Sequence, residues 1–222
     1  MDIGIIIPAY NAEKRIADVI KQVKIHVDDN IILINDGSTD STATIAKNEN
    51  VIVLSHTSNR GKGAALRTGF SQAMALNWKG VITIDADGQH NPEYIPKFIE
   101  YFKLTGADII IGSRMANLKS MPFHRVLSNK ITSKLLSWRI GQKIIDSQCG
   151  YRFICTDVFK KIDLFTSHYE TESEILIRGG LAGFKIDFID IDTIYKNEPS
   201  SINLYIDTWR FIKLYWQSFF GK

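Results

Sequence analysis

Five short apolar runs, each closed by a polar turn and most followed by a helical stretch, limit what this chain can fold into. They are Ile3 to Ile7, Asn30 to Ile34, Val51 to Leu54, Val81 to Ile84 and Asp108 to Gly112. Runs of β-branched residues without alternation describe strands covered on both faces. Between them, Ala12 to His26 puts Ile16, Val19, Ile20 and Val23 on one helical face, and Gly61 to about Leu76 and Pro92 to Leu104 are further helices. Strands alternating with helices predict an α/β fold, a mostly parallel central sheet with helices on both faces and right-handed crossovers. Such sheets bind their ligands beyond the C-terminal ends of the strands.

After Arg114 the rhythm changes. Met115 to Phe123 is expected as an irregular loop, His124 to Ile140 as a helix, and Tyr151 to Ile154 as a strand with a short helix after it. Ser173 to Ala182 is helical in pattern. Lys185 to Tyr195 alternates like an edge strand, and Asn203 to Phe220 is an amphipathic helix rich in aromatics. The first half has the pattern of a nucleotide-binding sheet, and the second that of a part completing a site over its edge.

The chemistry concentrates where Val81 to Ile84 runs into Asp85-Ala86-Asp87-Gly88-Gln89-His90. Two carboxylates two apart on an extended backbone share one side. Hard oxygen ligands suit Mg²⁺ or Mn²⁺, which keep much of their shell as water and substrate phosphate. The bland alternative is a capped strand end and an Asp-Gly turn. Gly61-Lys62-Gly63 offers close backbone approach and a cation before a helix N-terminus, which favours anions, or else only a solvated lysine. Neither familiar phosphate loop is present. Pro8-Ala9-Tyr10-Asn11 is not a glycine fingerprint, and Gly61-Lys62-Gly63 lacks the P-loop frame. The five histidines show no metal-ligand spacing, although His90 adjoins the carboxylates.

Composition excludes some partners. Lys and Arg number 27 against 24 Asp and Glu, a net charge of +3, too small to imply nucleic acid. Cys149 and Cys155 form no disulfide framework, which fits a reduced, cytoplasmic setting. Neither a signal-peptide pattern nor a run of about 18 apolar residues is found, so no membrane span is expected.

Several motifs then fall in order: Pro8-Ala9-Tyr10-Asn11; Asn35-Asp36-Gly37-Ser38-Thr39-Asp40; Asn59-Arg60-Gly61-Lys62-Gly63; Asp85 to His90; Gly112-Ser113-Arg114; Asp146 to Arg152; and His168 to Glu172. Together they resemble the family-2 glycosyltransferases, most closely the branch of polyprenyl-phosphate (dolichyl-phosphate) mannosyl- and glucosyltransferases. The resemblance covers roughly the first nine-tenths of the chain and implies a GT-A-type fold, a UDP- or GDP-sugar donor, Mg²⁺ or Mn²⁺, and inversion at the anomeric carbon. By motif, Pro8, Ala9, Tyr10 and Asp36 resemble residues that hold the nucleoside, with Tyr10 near the base and Asp36 bonding its edge. Lys62, Asp85 and Ala86 resemble donor-side residues. Asp87 resembles the principal metal ligand, with Asp85 and Gln89 near the metal or diphosphate. Asn35 stands where the family often has a first aspartate, and Glu13 is displaced from the usual Tyr-Asn-Glu. The whole chain is expected as one transferase domain: a nucleotide-sugar half at 1–114, an acceptor-side half at 115–202 and a terminal helix at 203–222.

The acceptor decides the remaining chemistry. A saccharide hydroxyl needs a general base, for which Asp146 is the first candidate and Glu172 the second. A polyprenyl phosphate is already mostly dianionic near neutral pH and needs cations instead. Arg114, Arg125 and Arg152 suit that role, because guanidinium grips phosphate in a bidentate way. Residues 203–222 could contact a membrane surface, pack on the sheet or form a homo-oligomer contact. A nucleotidyltransferase would want a basic glycine-rich loop after strand one. A non-catalytic sugar-nucleotide-binding subunit is disfavoured by the retained Asp85, Asp87 and Arg114.

Overall fold

A computed structural model of the chain describes residues 2–27, 29–116, 118, 121–192 and 204–220. Strands β1 (Ile3–Ala9), β2 (Ile31–Asn35), β3 (Ile52–Ser55), β4 (Gly80–Thr83), β5 (Ile109–Ser113), β6 (Arg152–Cys155) and β7 (Ile186–Asp190) form one sheet in the order β3-β2-β1-β4-β6-β5-β7. Every residue of β1, β2, β4 and β5 is buried, which requires cover on both faces. Ile5, Ile6 and Ile7 lie in the middle of this core, and truncating any of them to Ala is expected to cost about 2–5 kcal/mol.

The sheet is parallel except at β6, which runs antiparallel to both β4 and β5. Its register places Arg152 between Thr83 and Ile111, in the interior of the sheet. The edge position expected of the strand after Lys185 is observed for β7, which pairs with β5 alone. That strand ends at Asp190, and residues 193–195 of the expected run lie outside the described residues.

Helices α1 (Ile16–Lys24), α2 (Thr42–Asn48), α3 (Lys62–Ala75), α4 (Ile95–Thr105), α5 (Phe123–Ile140), α6 (Thr156–Lys161), α7 (Glu170–Leu181) and α8 (Leu204–Gln217) complete the fold. Helix α1 starts four residues later than its apolar pattern suggests, for a visible reason. The amides of Asn11, Ala12 and Glu13 donate to Ser38, Thr42 and Asp40, so they lace two loops together instead of opening a helix. Asp40 also accepts from the Thr42 amide at the start of α2. The helix expected from Pro92 begins as a 3₁₀ turn, Pro92–Tyr94, whose first free amide is capped by Asn91. Gly106, in the left-handed region, ends α4.

Candidate active site

The exits of β1 and β2 form the first wall. Tyr10 is half exposed, while Pro8 and Ala9 are buried in the strand. Asp36 departs from expectation. Its Oδ1 accepts from the Arg60 amide (3.0 Å) and faces His56 Nδ1 at 2.6 Å, and its Oδ2 accepts from the Gly61 amide (2.8 Å). With 3% of its surface exposed, Asp36 ties β2 to the loop before α3 and does not present a free edge to a base. His56 extends this tie to Thr68 of α3 at 2.9 Å, a role its position in the sequence does not announce.

The exit of β4 carries the carboxylates. Gly88 adopts φ +68°, which turns the chain back so that the Gln89 amide donates to Asp87 Oδ1 at 2.9 Å. Lys62, the first residue of α3, lies 2.6 Å from Asp85 Oδ1 and 2.8 Å from Glu172 Oε1. It therefore joins β4, α3 and α7 at one point. Gly150 closes over them so tightly that a Cβ there would come 2.8 Å from Lys62 Nζ and 2.9 Å from Glu172 Oε1. Burial opposes the charge on Lys62, but Asp85 and Glu172 outweigh it and hold the ammonium well above its ordinary pKa. Burial likewise works against ionising Asp85, and Lys62, His90 and Arg114 overcome it, so its carboxyl titrates low.

Asp87 behaves oppositely. Burial and then the neighbouring Asp85 push its carboxyl above the ordinary range, against a smaller pull from the Gln89 amide. Burial also lowers His90, in keeping with its Nδ1 accepting the Asp85 amide at 3.1 Å while the ring stacks on Tyr151. Asp87 is thus a carboxylate whose charge the surrounding protein does not match. Among the described residues no three His, Cys, Asp or Glu side chains form a ready metal cage. Asp87 and Asp85 instead fit the partial oxygen shell of Mg²⁺ or Mn²⁺, whose other ligands are water and phosphate.

A second cluster stands after β5. Arg114 reaches Asp146 with Nε and Nη2, both at 2.9 Å, and with its backbone amide at 3.1 Å. Asn129 of α5 adds a bond of 2.7 Å and the Gln148 amide one of 3.2 Å. Asp146 is fully buried and, although burial opposes ionisation, Arg114 holds its carboxyl below the ordinary range. A general base must be reachable and basic, and Asp146 is neither. Arg152, expected as an acceptor clamp, is instead turned into the protein interior. Its guanidinium is buried and donates to the carbonyls of Cys149, Glu172 and Ser147 at 2.6–2.8 Å. It pins the loop from Ser147 to Gly150 against α7. Arg125, in the first turn of α5, is half buried.

Comparison with known proteins identifies the family and the fold. Residues 4–163 match the family described as Glycosyl transferase family 2. An uncharacterized protein of Methanocaldococcus jannaschii is 39% identical over 87% of this chain and 82% of its own length. The UDP-N-acetylglucosamine–dolichyl-phosphate N-acetylglucosaminyltransferase of Methanococcus voltae is 35% identical over 87% of this chain and 86% of that protein. A crystal structure of glucosyl-3-phosphoglycerate synthase from Mycobacterium tuberculosis, in complex with Mn²⁺, UDP-glucose and phosphoglyceric acid, matches with a TM-score of 0.75 and 20% identity, over 98% of this chain and 79% of that one. That likeness establishes the GT-A-type fold. The chain belongs to glycosyltransferase family 2 and is a glycosyltransferase.

Proposed function

We propose that the chain transfers a sugar, with inversion, from a UDP- or GDP-sugar to a polyprenyl phosphate. The observation that carries this reading is the state of the two carboxylates that might have served as bases. Asp146 is buried in its bonds to Arg114 and Asn129, and Glu172 is held by a protonated Lys62. An acceptor that needs deprotonating would find both engaged, whereas a phosphate dianion attacks without a base. The relative that acts on dolichyl phosphate supports the same choice.

In this reading Asp87 and Asp85 would hold a divalent cation. When bound, the cation supplies charge neutralisation as the diphosphate departs. Lys62 keeps Asp85 ionised and fixed in direction. Tyr10 lies against the base, and the loop tied by Asp36 shapes the nucleoside wall. Arg114, oriented by Asp146, and Arg125 hold the acceptor phosphate on the opposite side of the sugar, in line for attack.

One observation favours a second reading, transfer to a saccharide hydroxyl. Glu170, at the start of α7, buries Oε2 with no hydrogen-bond partner among the described residues, and it would be the base. The test is transfer with Mn²⁺ against a panel of UDP- and GDP-sugars, with and without a short-chain polyprenyl phosphate. Product only with the lipid phosphate is expected. Product on free saccharides alone, abolished in Glu170→Gln, would replace the first reading with the second.

A further inference from the structure

Helices α5 and α8 are apolar on the side that faces away from the protein. On α5, Val126, Asn129, Ser133 and Leu136 point inward and are buried. The opposite face presents Leu127, Ile131, Leu135 and Trp138, with Trp138 73% exposed. On α8, Leu214 points inward. Its outer face presents Tyr205, Trp209, Ile212 and Trp216, all exposed, and the two tryptophans are 67% and 61% accessible. Residues spaced by three, four and seven share a helical face, so each set forms a stripe. The two stripes adjoin. Tyr215 Oη donates to the Leu135 carbonyl at 3.3 Å, the rings of Trp138 and Phe219 lie 5.8 Å apart, and Arg139 donates to Ser218. Scattered exposed apolar residues are ordinary, but a continuous stripe of this size marks a contact surface.

Charge identifies what the surface meets. Helix α5 carries Arg125, Lys130, Lys134 and Arg139 and no acidic residue. Helix α8 adds Arg210 and Lys213 against a single Asp207, which pairs with Arg210 at 3.0 Å. The two helices therefore carry a net +5 in a chain whose total is +3, so the remainder is net negative. On α5, Lys130 and Lys134 sit at the margin of the apolar stripe, and on α8 Lys213 does the same. A second copy docking isologously would set this positive face against itself. An anionic bilayer complements it. Tryptophan settles at the headgroup level with its ring in the apolar zone, and lysine reaches out to lipid phosphates.

We infer that α5 and α8 together form a docking face for an anionic lipid bilayer, with α5 contributing as much as the terminal helix. The inner side of α5 holds Asp146 through Asn129, and Asp146 holds Arg114. The bilayer face thus lies about one helix diameter, ~10 Å, from the acceptor side of the site.

The test is co-sedimentation of the full chain with vesicles of phosphatidylcholine alone or mixed with phosphatidylglycerol. Neither contains polyprenyl phosphate, so the outcome is independent of which acceptor is used. Binding is expected to be about tenfold or more tighter on the anionic vesicles and to weaken with added salt. Leu127→Ser with Ile131→Ser on α5, and Trp209→Ser with Trp216→Ser on α8, should each reduce it. Lys130→Gln with Lys134→Gln should remove about tenfold or more on anionic vesicles only. Thermal unfolding of each variant verifies that the fold is intact, as exposed sites allow. Three results overturn the inference: wild-type binding by the α5 apolar pair, equal affinity for both vesicles, or a dimer in solution that the α5 pair dissolves.

Discussion

The charged cluster after β4 and the one after β5 are built in opposite ways. Asp146 accepts five hydrogen bonds, from the Arg114 amide, Nε and Nη2, from Asn129 and from the Gln148 amide, and none of its surface is exposed. Asp87 accepts one among the described residues, from the Gln89 amide, and stands beside the like-charged Asp85. The first carboxylate is ionised at ease and closed to ligands. The second resists ionisation and is open. A closed cluster contributes rigidity and aims Arg114, whereas an open one has use for a cation that is not part of the chain. Motif membership alone treats the two aspartates as equivalent candidates for chemistry, and their surroundings separate them.

The largest test removes the closed charge. Asp146→Asn keeps the volume but removes the buried charge that Arg114 pairs with, and it is expected to cost about 3–5 kcal/mol in urea unfolding with an unchanged slope. The pH dependence follows from the lowered carboxyl. A depressed folded value gives stability that is fully present above the unfolded value, near 3.9, and lost as pH falls through the folded value. The gap between wild type and Asp146→Asn should therefore hold at neutral pH and narrow only below about pH 4. A gap already closing at pH 6 would mean that Asp146 is not the settled ion described.

The next test acts on the open cluster. Asp87→Asn should lower transfer about 100-fold or more. Yet it should raise the melting temperature of the metal-free protein at neutral pH. Burial and Asp85 raise the folded carboxyl above its unfolded value, so at neutral pH the ionised Asp87 destabilises the fold, and Asn lacks that charge. The gain should vanish in acid, where the wild-type carboxyl is protonated in both states. Opposite changes in stability for the two Asp→Asn variants are the signature of the comparison, and a fall in melting temperature for Asp87→Asn would break it.

The smallest effect sharpens it. Asn129→Ala withdraws one donor from Asp146 and the acceptor of the Ser133 hydroxyl and Ser147 amide, but leaves Arg114 in place, for an expected loss of about 1–3 kcal/mol. Donor affinity, followed by quenching of tryptophan fluorescence on adding UDP-sugar, should be unchanged, because Asn129 bonds Asp146, Ser133 and Ser147 and none of the residues proposed to hold the donor. A large rise in donor Kd would show that the two clusters are coupled.

The sheet was legible because Ile3–Ala9, Ile31–Asn35 and their successors carry the pattern within each segment. The reversal at β6 was not, since nothing in Arg-Phe-Ile-Cys reveals strand direction, and its placement depends on Thr83 and Ile111. The same separation hid the partners of the charged residues. Arg114 and Asp146 are 32 positions apart, and Arg152 spends its guanidinium on carbonyls, which no side-chain motif displays. The pairing of Lys62 with both Asp85 and Glu172 was similarly out of reach, although all three stood in recognisable motifs. Local pattern revealed which residues gather at the strand ends, and only packing revealed which of them are already occupied.

The most direct measurement is calorimetric titration of Mn²⁺ into wild type, Asp87→Asn and Asp146→Asn, each saturated with UDP at pH 7. Asp87→Asn should weaken Mn²⁺ binding about tenfold to a hundredfold, and the folded fraction of Asp146→Asn should bind as wild type does. Equal weakening in both variants, or loss in Asp146→Asn alone, would contradict the division between an open and a closed cluster.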